Sequence, residues 1–299
     1  MIIMPTFIRL IQSRTYGFLK MLYKIHCKRR YADYLFQKSF GRKIDWKNPR
    51  DLNEKIQYLM HKTDTREWSR LADKYAVRDY IKEKGCEELL VTLYGRWESP
   101  EDIDFNKLPN QFVLKTNHGA GCSIVITDKE KIDIESVKKR LSRSLSQRFG
   151  YVGNEPHYNR IKPCVIAEQY LYNGEHGLID YKVWCLDGQP FCIFTALDRD
   201  LVKHNALFSC YSLDWQRHNE WLTPSYQNDI PVPRPQNLDK MIDYARILSE
   251  GFPQVRVDFY EVNGKVYFGE MTFTSYAGRM DYFTPEQLKV MGDKVNING

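Results

Sequence analysis

Two dipeptides, Asp187-Gly188 and Asn263-Gly264, constrain the fold of this chain more than any other feature. Each separates two short runs that are rich in β-branched and aromatic residues. Because Asp-Gly and Asn-Gly favour the two-residue turns that match the twist of paired strands, both dipeptides predict antiparallel β-hairpins. Helical patterns before residue 84 and at 134–149 flank the hairpins, so the sequence predicts an α+β fold. The four runs are 180–186, 190–196, 254–260 and 265–271.

The size and composition of the chain are those of a globular protein with a large core. Of its 299 residues, 42% are hydrophobic and 14% aromatic, which is sufficient for one or two domains. The seven cysteines include no Cys-x-x-Cys pair, so neither a disulfide framework nor a zinc site is expected. No apolar run approaches the roughly 20 residues of a membrane span, and the sequence has no signal-peptide pattern. We therefore expect a cytoplasmic protein.

The net charge of +6 originates in the N-terminal segment. Residues 1–30 contain seven basic residues and no acidic one, which leaves 37 basic against 38 acidic residues in the rest of the chain. Nucleic-acid binding is therefore not expected. Within the segment the basic residues fall on one arc of a helix. This pattern indicates either peripheral contact with an anionic membrane or an ordinary helix with a solvated basic face. Liposome co-sedimentation with and without residues 1–30 distinguishes the two.

The second hairpin carries the clearest candidate for chemistry. Asp258 lies on its first strand and Glu270 on its second, so the two carboxylates can lie side by side. Arg256 shares a face with Asp258 because side chains alternate along a strand. Two carboxylates and an arginine suit Mg²⁺ that bridges phosphate oxygens. The alternative is a cross-strand salt bridge without a catalytic role.

A small glycine-containing loop follows the strand-like run at 112–115, which ends in Lys115. Backbone N–H groups of such a loop can bind phosphate oxygens, and the lysine can add a positive charge. A simple β-turn is the alternative. The spacing matches neither the Walker motif nor the dinucleotide-binding fingerprint. The candidate phosphate-binding residues of this loop are His118, Gly119, Gly121 and Ser123.

Two further segments contain candidates for nucleotide contacts. An apolar run that begins at Val165 becomes polar at Glu168, where the backbone can meet an adenine edge while Glu175 reaches a ribose. The alternative is an ordinary buried strand. Lys74 and Arg78 are four residues apart on one face of a predicted helix, and on their own they indicate a solvated charged face.

Five short motifs occur together in one order along residues 48–283: Asn48-Pro-Arg-Asp-Leu-Asn-Glu-Lys-Ile56, Asp73-Lys-Tyr75, Leu114-Lys-Thr-Asn-His-Gly119, Asp180-Tyr-Lys-Val-Trp184 and Gly269-Glu-Met-Thr272. In these motifs and their order the chain resembles the ATP-grasp superfamily and is most similar to the TupA-like ATP-grasp family. The resemblance implies an ATP-grasp fold, in which two α+β lobes hold ATP between them. It also implies a helical N-terminal extension at 1–47, a preceding region at 48–112, and an ATP-grasp domain at 113–299 that is hinged near 168–175.

The resemblance further implies that the cofactors are ATP and Mg²⁺. Thr272 stands where ATP-grasp enzymes usually carry asparagine, and a hydroxyl is a poorer Mg²⁺ ligand than a carboxamide. The implied roles are phosphate binding by Lys74 and Lys115, adenine binding by Glu168, Gln169 and Leu171, Mg²⁺ binding by Asp258, Glu270 and Thr272, and contact with the phosphates or an acyl phosphate by Lys182 and Arg256.

The reaction that the resemblance implies is amide formation through an acyl phosphate. A carboxylate attacks the γ-phosphate of ATP, and an amine then displaces phosphate from the product. The expected partners are a uronic-acid-containing glycan, or a lipid-linked glycan intermediate, and an amino acid. Alternatives are an ATP-grasp phosphotransferase, a non-catalytic binding module, and a glycosyltransferase with a D-x-D motif at Asp102-Ile-Asp104. That motif is also typical of an acidic helix start.

Overall fold

The computed structural model describes residues 28–119, 121–174, 177–200 and 205–297, without the side chains of 197–200 and 205–207. The basic helix predicted in residues 1–30 therefore lies outside the described residues except for its last three. Within the described part of the chain, every helix is too short or too polar to cross a membrane.

The chain before the first sheet forms the helices α1 (Lys28–Phe40), α2 (Leu52–Lys62), α3 (Arg66–Leu71) and α4 (Val77–Glu83). Helix α2 begins at Asp51, whose carboxylate accepts a hydrogen bond from Glu54 N at 2.9 Å and so satisfies a free N–H of the first turn. The predicted helical face that joins Lys74 to Arg78 is wrong in detail. Because α4 begins only at Val77, Lys74 lies in the turn before it.

The first sheet contains four antiparallel strands in the order β1-β4-β2-β3: β1 Leu93–Trp97, β2 Phe112–Thr116, β3 Ser123–Ile126 and β4 Val165–Gln169. The strand-like run at 112–115 is confirmed as β2, and the apolar run that begins at Val165 forms β4. Leu89 ends a 3₁₀ helix and is buried in the main core, and the first strand begins only at Leu93.

Two helices lie between the strands β3 and β4 of the first sheet, namely α5 (Ile134–Leu145) and α6 (Phe149–Gly153), where the sequence predicted one helical stretch. Helix α5 is capped by Asp133, which accepts a hydrogen bond from Ser136 N. Its Leu141 is buried against Phe112 and Leu114 of β2, so α5 covers one face of the first sheet.

The second sheet contains five antiparallel strands in the order β7-β6-β5-β8-β9: β5 Asp180–Leu186, β6 Gln189–Asp200, β7 Asn205–Tyr211, β8 Gln254–Val262 and β9 Lys265–Thr272. Both predicted hairpins are confirmed. Asp187 and Gly188 have φ of 53° and 70°, and Asn263 and Gly264 have φ of 51° and 72°. The two central residues of each turn therefore take the left-handed conformation that Asx-Gly favours.

One face of the second sheet packs on a helix, and the other face carries charges. Val183 and Val257 are fully buried in the main core, which also contains Met241 and Leu248 of helix α7 (Leu238–Ser249). Side chains one residue further along β5 and β8 point to the opposite face. The last helix, α8 (Pro285–Asp293), packs against α2. The predicted α+β class is confirmed, and the predicted domain boundaries at 48 and 113 stay a prediction.

Candidate active site

The charged face of the second sheet holds a buried network around Asp258. In the sheet register Asp258 lies opposite Lys182 of β5 on one side and opposite Glu270 of β9 on the other. Lys182 Nζ lies 2.5 Å from Asp258 Oδ2 and 3.2 Å from Asp180 Oδ2. Arg256 grips the same carboxylate with two nitrogens, Nε at 2.7 Å from Oδ1 and Nη2 at 2.8 Å from Oδ2.

Mutual stabilisation keeps this buried pair ionised. Burial alone would lower the pKa of Arg256, but Asp258 and Glu270 outweigh burial and hold that pKa above its usual value. Burial would likewise raise the pKa of Asp258, yet Arg256 and Lys182 hold that pKa below its usual value. The network is therefore charged and fixed at neutral pH before any ligand binds.

Glu270 lies at the solvent side of the network. Its side chain is 41% exposed, whereas those of Arg256 and Asp258 are 10% and 2% exposed. Its Oε1 accepts hydrogen bonds from Arg256 Nη2 at 3.2 Å and from Thr272 Oγ1 at 3.0 Å. Thr272 Oγ1 in turn accepts one from Arg256 Nη2 at 3.1 Å. The three residues predicted to hold Mg²⁺ are therefore neighbours on one face.

The donor set fits a magnesium ion at Glu270 better than at Asp258. Mg²⁺ is held by one or two carboxylates together with substrate phosphates, and Glu270 offers an accessible carboxylate. Both oxygens of Asp258 already accept hydrogen bonds from the cationic side chains of Lys182 and Arg256. Among the described residues no group of three or more His, Cys, Asp or Glu side chains is arranged to hold a metal. Phosphate oxygens would have to complete the coordination, and the ligand roles of Asp258 and Thr272 stay predictions.

The first sheet contributes a second charged group. Lys115 on β2 and Glu168 on β4 lie on the same face of the sheet, and Lys115 Nζ is 2.8 Å from Glu168 Oε2. Arg78 of α4 reaches the other oxygen of Glu168 at 3.2 Å and the carbonyl of Val91 at 2.8 Å. The Glu168 carboxylate thus orients Lys115, and the predicted contact of Glu168 with adenine stays a prediction.

The charge of Lys74 interacts with charged side chains of both sheets. Its Nζ donates a hydrogen bond to the carbonyl of Gly119 at 2.7 Å. Burial lowers the pKa of Lys74 below its usual range, and the carboxylates of Glu270 and Glu168 only partly offset that effect. Lys74 therefore experiences the charges of Lys115 and Glu168 on the first sheet and of Glu270 on the second.

The loop after β2 is held in a defined conformation. Gly119 and Gly121 have φ of 76° and 93°, which side-chain-bearing residues rarely adopt. A Cβ at Gly119 would lie 2.4 Å from the ring of Phe149, so only glycine fits there. His118 contacts the carbonyl of Gln147 through Nε2 at 3.2 Å. Ser123 begins β3 opposite Lys115, and phosphate binding by all four predicted loop residues stays a prediction.

The hinge residues lie at the junction of the two sheets. Gln169 Oε1 accepts a hydrogen bond from Thr92 Oγ1 at 3.1 Å. Leu171 is buried with Val91 and Val262, the last residue of β8. This apolar group is suited to an adenine ring, but adenine binding by Gln169 and Leu171 stays a prediction. Glu175 lies outside the described residues.

Sequence reasoning missed the contacts that fix the turn before α4 to the first sheet. Asn117 Nδ2 donates to Asp73 Oδ1 at 2.9 Å, and Asn117 Oδ1 accepts from Cys164 N at 2.7 Å. The side chain of Asn117 therefore ties the turn that carries Lys74 to the start of β4. Asn117 belongs to the Leu-Lys-Thr-Asn-His-Gly motif, which was the available signal, but its partners are distant in sequence.

The D-x-D pair lies on the surface and serves local structure. Asp102 ends a 3₁₀ helix that Ser99 caps, and Asp104 accepts a hydrogen bond from Asn106 N at 3.1 Å. The interpretation of this segment as an acidic helix start is therefore confirmed.

Each of the two antiparallel sheets carries a group of lysine, arginine and carboxylate side chains, as phosphoryl-transfer sites do. A family model described as TupA-like ATPgrasp matches residues 54–296, and the chain belongs to this family. The ATP-grasp fold and the family expected from the sequence are thereby confirmed. Comparison with curated proteins finds no match.

Among solved structures, D-alanine–D-alanine ligase from Bacillus anthracis is 16% identical with a TM-score of 0.37, over 68% of this chain and 57% of that one. An L-amino acid ligase from Bacillus licheniformis is 10% identical with a TM-score of 0.46, over 80% of this chain and 52% of that one. The D-cycloserine synthetase DcsG is 14% identical with a TM-score of 0.44, over 79% of this chain and 74% of that one. The chain thus spans little more than half the length of the first two.

A buried carboxyl group beside the site makes stability depend on pH. Glu155 accepts a hydrogen bond from Thr274 Oγ1 at 2.5 Å. Thr274 follows Thr272 by two residues. Burial raises the pKa of Glu155 from 4.5 to about 7, although Thr274 and Arg279 act in the opposite direction. The folded protein therefore keeps this proton at pH values where the unfolded chain has released it. Stability should then fall as pH rises from about 4.5 to about 7.

We expect Glu155→Gln to remove this loss, because the amide oxygen can still accept the hydrogen bond from Thr274 and no charge has to be buried. A pKa shift from 4.5 to about 7 corresponds to about 3 kcal/mol. Relative to wild type, the variant should gain roughly that much unfolding free energy between pH 4.5 and pH 8. Urea unfolding of both proteins at the two pH values measures it. An equal difference at both pH values would contradict the assignment.

Proposed function

We propose that this protein is an ATP-dependent carboxylate–amine ligase that attaches an amino acid to the carboxylate of a uronic acid in a surface polysaccharide. The observation that carries the proposal is the fixed, charged network of Lys182, Arg256 and Asp258 beside the accessible Glu270. Membership of the TupA-like ATP-grasp family supports ATP as the nucleotide.

The positive charges suit transfer of the γ-phosphoryl group. Such a transfer spreads negative charge over three equatorial oxygens, and catalysis consists of positioning and electrostatic stabilisation. Arg256, whose fork holds Asp258, adds positive charge beside the transferring group, while Lys74 and Lys115 balance the remaining phosphates. Mg²⁺ bound at Glu270 would supply further neutralisation of the phosphate oxygens.

The proposed reaction has two steps. A carboxylate oxygen of the uronic acid attacks the γ-phosphorus, the bond to the β-bridging oxygen breaks, and ADP leaves with that electron pair. The amine of the amino acid then attacks the acyl carbon, phosphate leaves, and the amine loses one proton. Activation is needed because a carboxylate is a poor electrophile, and exclusion of water is needed because an acyl phosphate hydrolyses.

The alternative within the same fold is a phosphotransferase with a hydroxyl acceptor. The two reactions share ATP and the transferred group, and they differ only in the product. Hydroxylamine intercepts an acyl phosphate as a hydroxamate, whereas a phosphate ester of a sugar hydroxyl does not react with it. This difference allows a direct test.

We expect hydroxamate to form from ATP, Mg²⁺, hydroxylamine and a uronate such as D-glucuronate or D-galacturonate, at the same rate as ADP. Lys115→Ala should lose hydroxamate and ADP together, because a charge that faces the phosphates is gone. Lys129→Ala, a lysine on the surface of the same lobe, is the matched control and should keep both. Recovery of a stable phosphorylated sugar without hydroxamate would overturn the ligase proposal in favour of the phosphotransferase.

A further inference from the structure

The segment after β9 contains a strained turn. Tyr276, Ala277 and Gly278 are three consecutive residues with φ of 49°, 54° and 64°. The left-handed region suits glycine, but residues with a Cβ are destabilised there. Backbone strain of this kind persists only where the surroundings hold it in place, and it is concentrated at functional sites. The contacts that hold this turn and the side chains that it exposes to solvent therefore indicate its role.

Helix α2 holds the turn with buried side chains. Gln57 Nε2 donates to the carbonyl of Ala277 at 2.7 Å. Asn53 donates to the carbonyl of Met280 and accepts from its N–H, both at 2.9 Å. A Cβ at Gly278 would lie 2.9 Å from a methyl group of α2, so the turn can approach the helix only with glycine. The Asn48–Ile56 motif and Gln57 thus act as a clamp.

The clamped turn is continuous with the charged network. Arg256, which grips Asp258 with Nε and Nη2, uses Nη1 to donate to Ser275 Oγ at 2.7 Å. Tyr276 is the next residue, and consecutive Cα atoms are about 3.8 Å apart. Its side chain is 54% exposed, and its ring packs edge-on against the buried Tyr282 at 5.2 Å. Tyr276 is therefore an accessible aromatic residue one position along the chain from a residue that Arg256 binds.

Other exposed tyrosines lack this connection. Tyr34 on α1 and Tyr172 after β4 are 57% and 60% exposed, and they pack on Tyr31 and Tyr170. Neither is a chain neighbour of a residue that Arg256 binds, and neither has a positive φ. Only at Tyr276, among these three residues, do exposure, backbone strain and a bonded path to Arg256 coincide.

We propose that the ring of Tyr276 forms the wall of the carboxylate-substrate subsite and packs against the C–H face of the pyranose ring of a uronate. This inference rests on the proposed ligase function. An aromatic ring supplies a large, flat, apolar surface with few rotatable bonds, and the C–H groups of a pyranose present a matching flat surface. With the sugar on this wall, its carboxylate lies toward the guanidinium of Arg256, where it can attack the γ-phosphorus.

The strain provides a test that separates ligand binding from folding. Tyr276→Gly removes the ring and its contact with Tyr282 but relieves the backbone, so these effects offset and the midpoint of urea unfolding should change little. Ala277→Gly relieves the same turn without touching the ring and is the matched control. Tyr276→Phe keeps the ring and loses only the hydroxyl group.

Binding is measured without turnover, by saturation-transfer NMR with D-glucuronate and D-galacturonate in the presence of Mg²⁺ and a non-hydrolysable ATP analogue. We expect transfer to the ring C–H protons in wild type, Tyr276→Phe and Ala277→Gly, and at least a tenfold weaker apparent affinity in Tyr276→Gly.

Two results would overturn the inference. The first is equal uronate binding by Tyr276→Gly and wild type, and the second is failure of wild type to bind either uronate. In both cases hydroxamate formation with other carboxylates still decides the ligase proposal separately.

Discussion

Replacement of Glu270 by glutamine should abolish turnover, with a loss of kcat on the order of 10³-fold, while the fold is retained. The glutamine oxygen can still accept the hydrogen bonds from Arg256 and Thr272 that Glu270 Oε1 accepts at 3.2 Å and 3.0 Å. What disappears is the negative charge. A neutral amide is a much weaker ligand for Mg²⁺ than a carboxylate, so neutralisation of the transferring phosphoryl group should be lost.

ADP release measures turnover, urea unfolding measures stability, and isothermal titration with ATP measures nucleotide binding. Each is done with and without Mg²⁺. Asp243→Asn is a suitable control because it removes the same charge from an exposed side chain on α7, the helix that packs on the opposite face of the second sheet. Undiminished ADP production by the Glu270 variant would refute the assignment of the metal to this residue.

Replacement of Arg256 should have the second-largest effect, and it should act on stability as well as on activity. The guanidinium makes contacts to Asp258, Glu270 and Ser275 that no other residue type can reproduce together. In Arg256→Ala, Lys182 is the cationic partner that Asp258 keeps among the described residues. Removal of one member of a buried ion pair typically costs about 3–5 kcal/mol, so this variant should unfold at much lower denaturant concentration.

Arg256→Lys keeps the positive charge but loses the planar fork that grips two oxygens. We expect it to fold and to bind ATP, with kcat reduced on the order of 100-fold because two nitrogens no longer fix Asp258 and the charged network beside Glu270. The matched control is Arg246→Lys on α7, where the arginine is half-exposed and paired with Asp243 at 2.7 Å. A kcat within a factor of two of wild type in Arg256→Lys would show that the fork has no role in transfer.

The parts of this molecule that local rules control were predictable from sequence. Turn chemistry located both hairpins, and the two-residue period of strands placed Arg256, Asp258 and Glu270 on one face. Both conclusions depend only on neighbours in sequence or across a tight turn. The strand and glycine loop indicated Lys115, and the family pattern added the phosphate roles of Lys74 and Lys182, whose spacing along the chain carries no geometric information of its own.

The parts that depend on tertiary packing were not predictable. The pair of Arg78 and Glu168 connects residues 90 positions apart, and the hydrogen bond between Thr274 and Glu155 spans 119 positions. No sequence period relates such partners. Glu168 illustrates this, because its ion pairs with Lys115 and Arg78 could not be read from the sequence, while its contact with adenine stays a prediction. The clamp of Asn53 and Gln57 on the strained turn was likewise not predictable, because it depends on how α2 packs against that turn.

The central claim is that a substrate carboxylate, rather than a hydroxyl group or water, attacks the γ-phosphate of ATP. The most direct measurement uses a uronate labelled with ¹⁸O in both carboxyl oxygens, together with ATP, Mg²⁺ and an amino acid. Attack by the carboxylate followed by displacement with the amine moves one carboxyl oxygen into the released phosphate. The account predicts that mass spectrometry finds one ¹⁸O atom in each phosphate and one in each amide product. Unlabelled phosphate released together with ADP would contradict it.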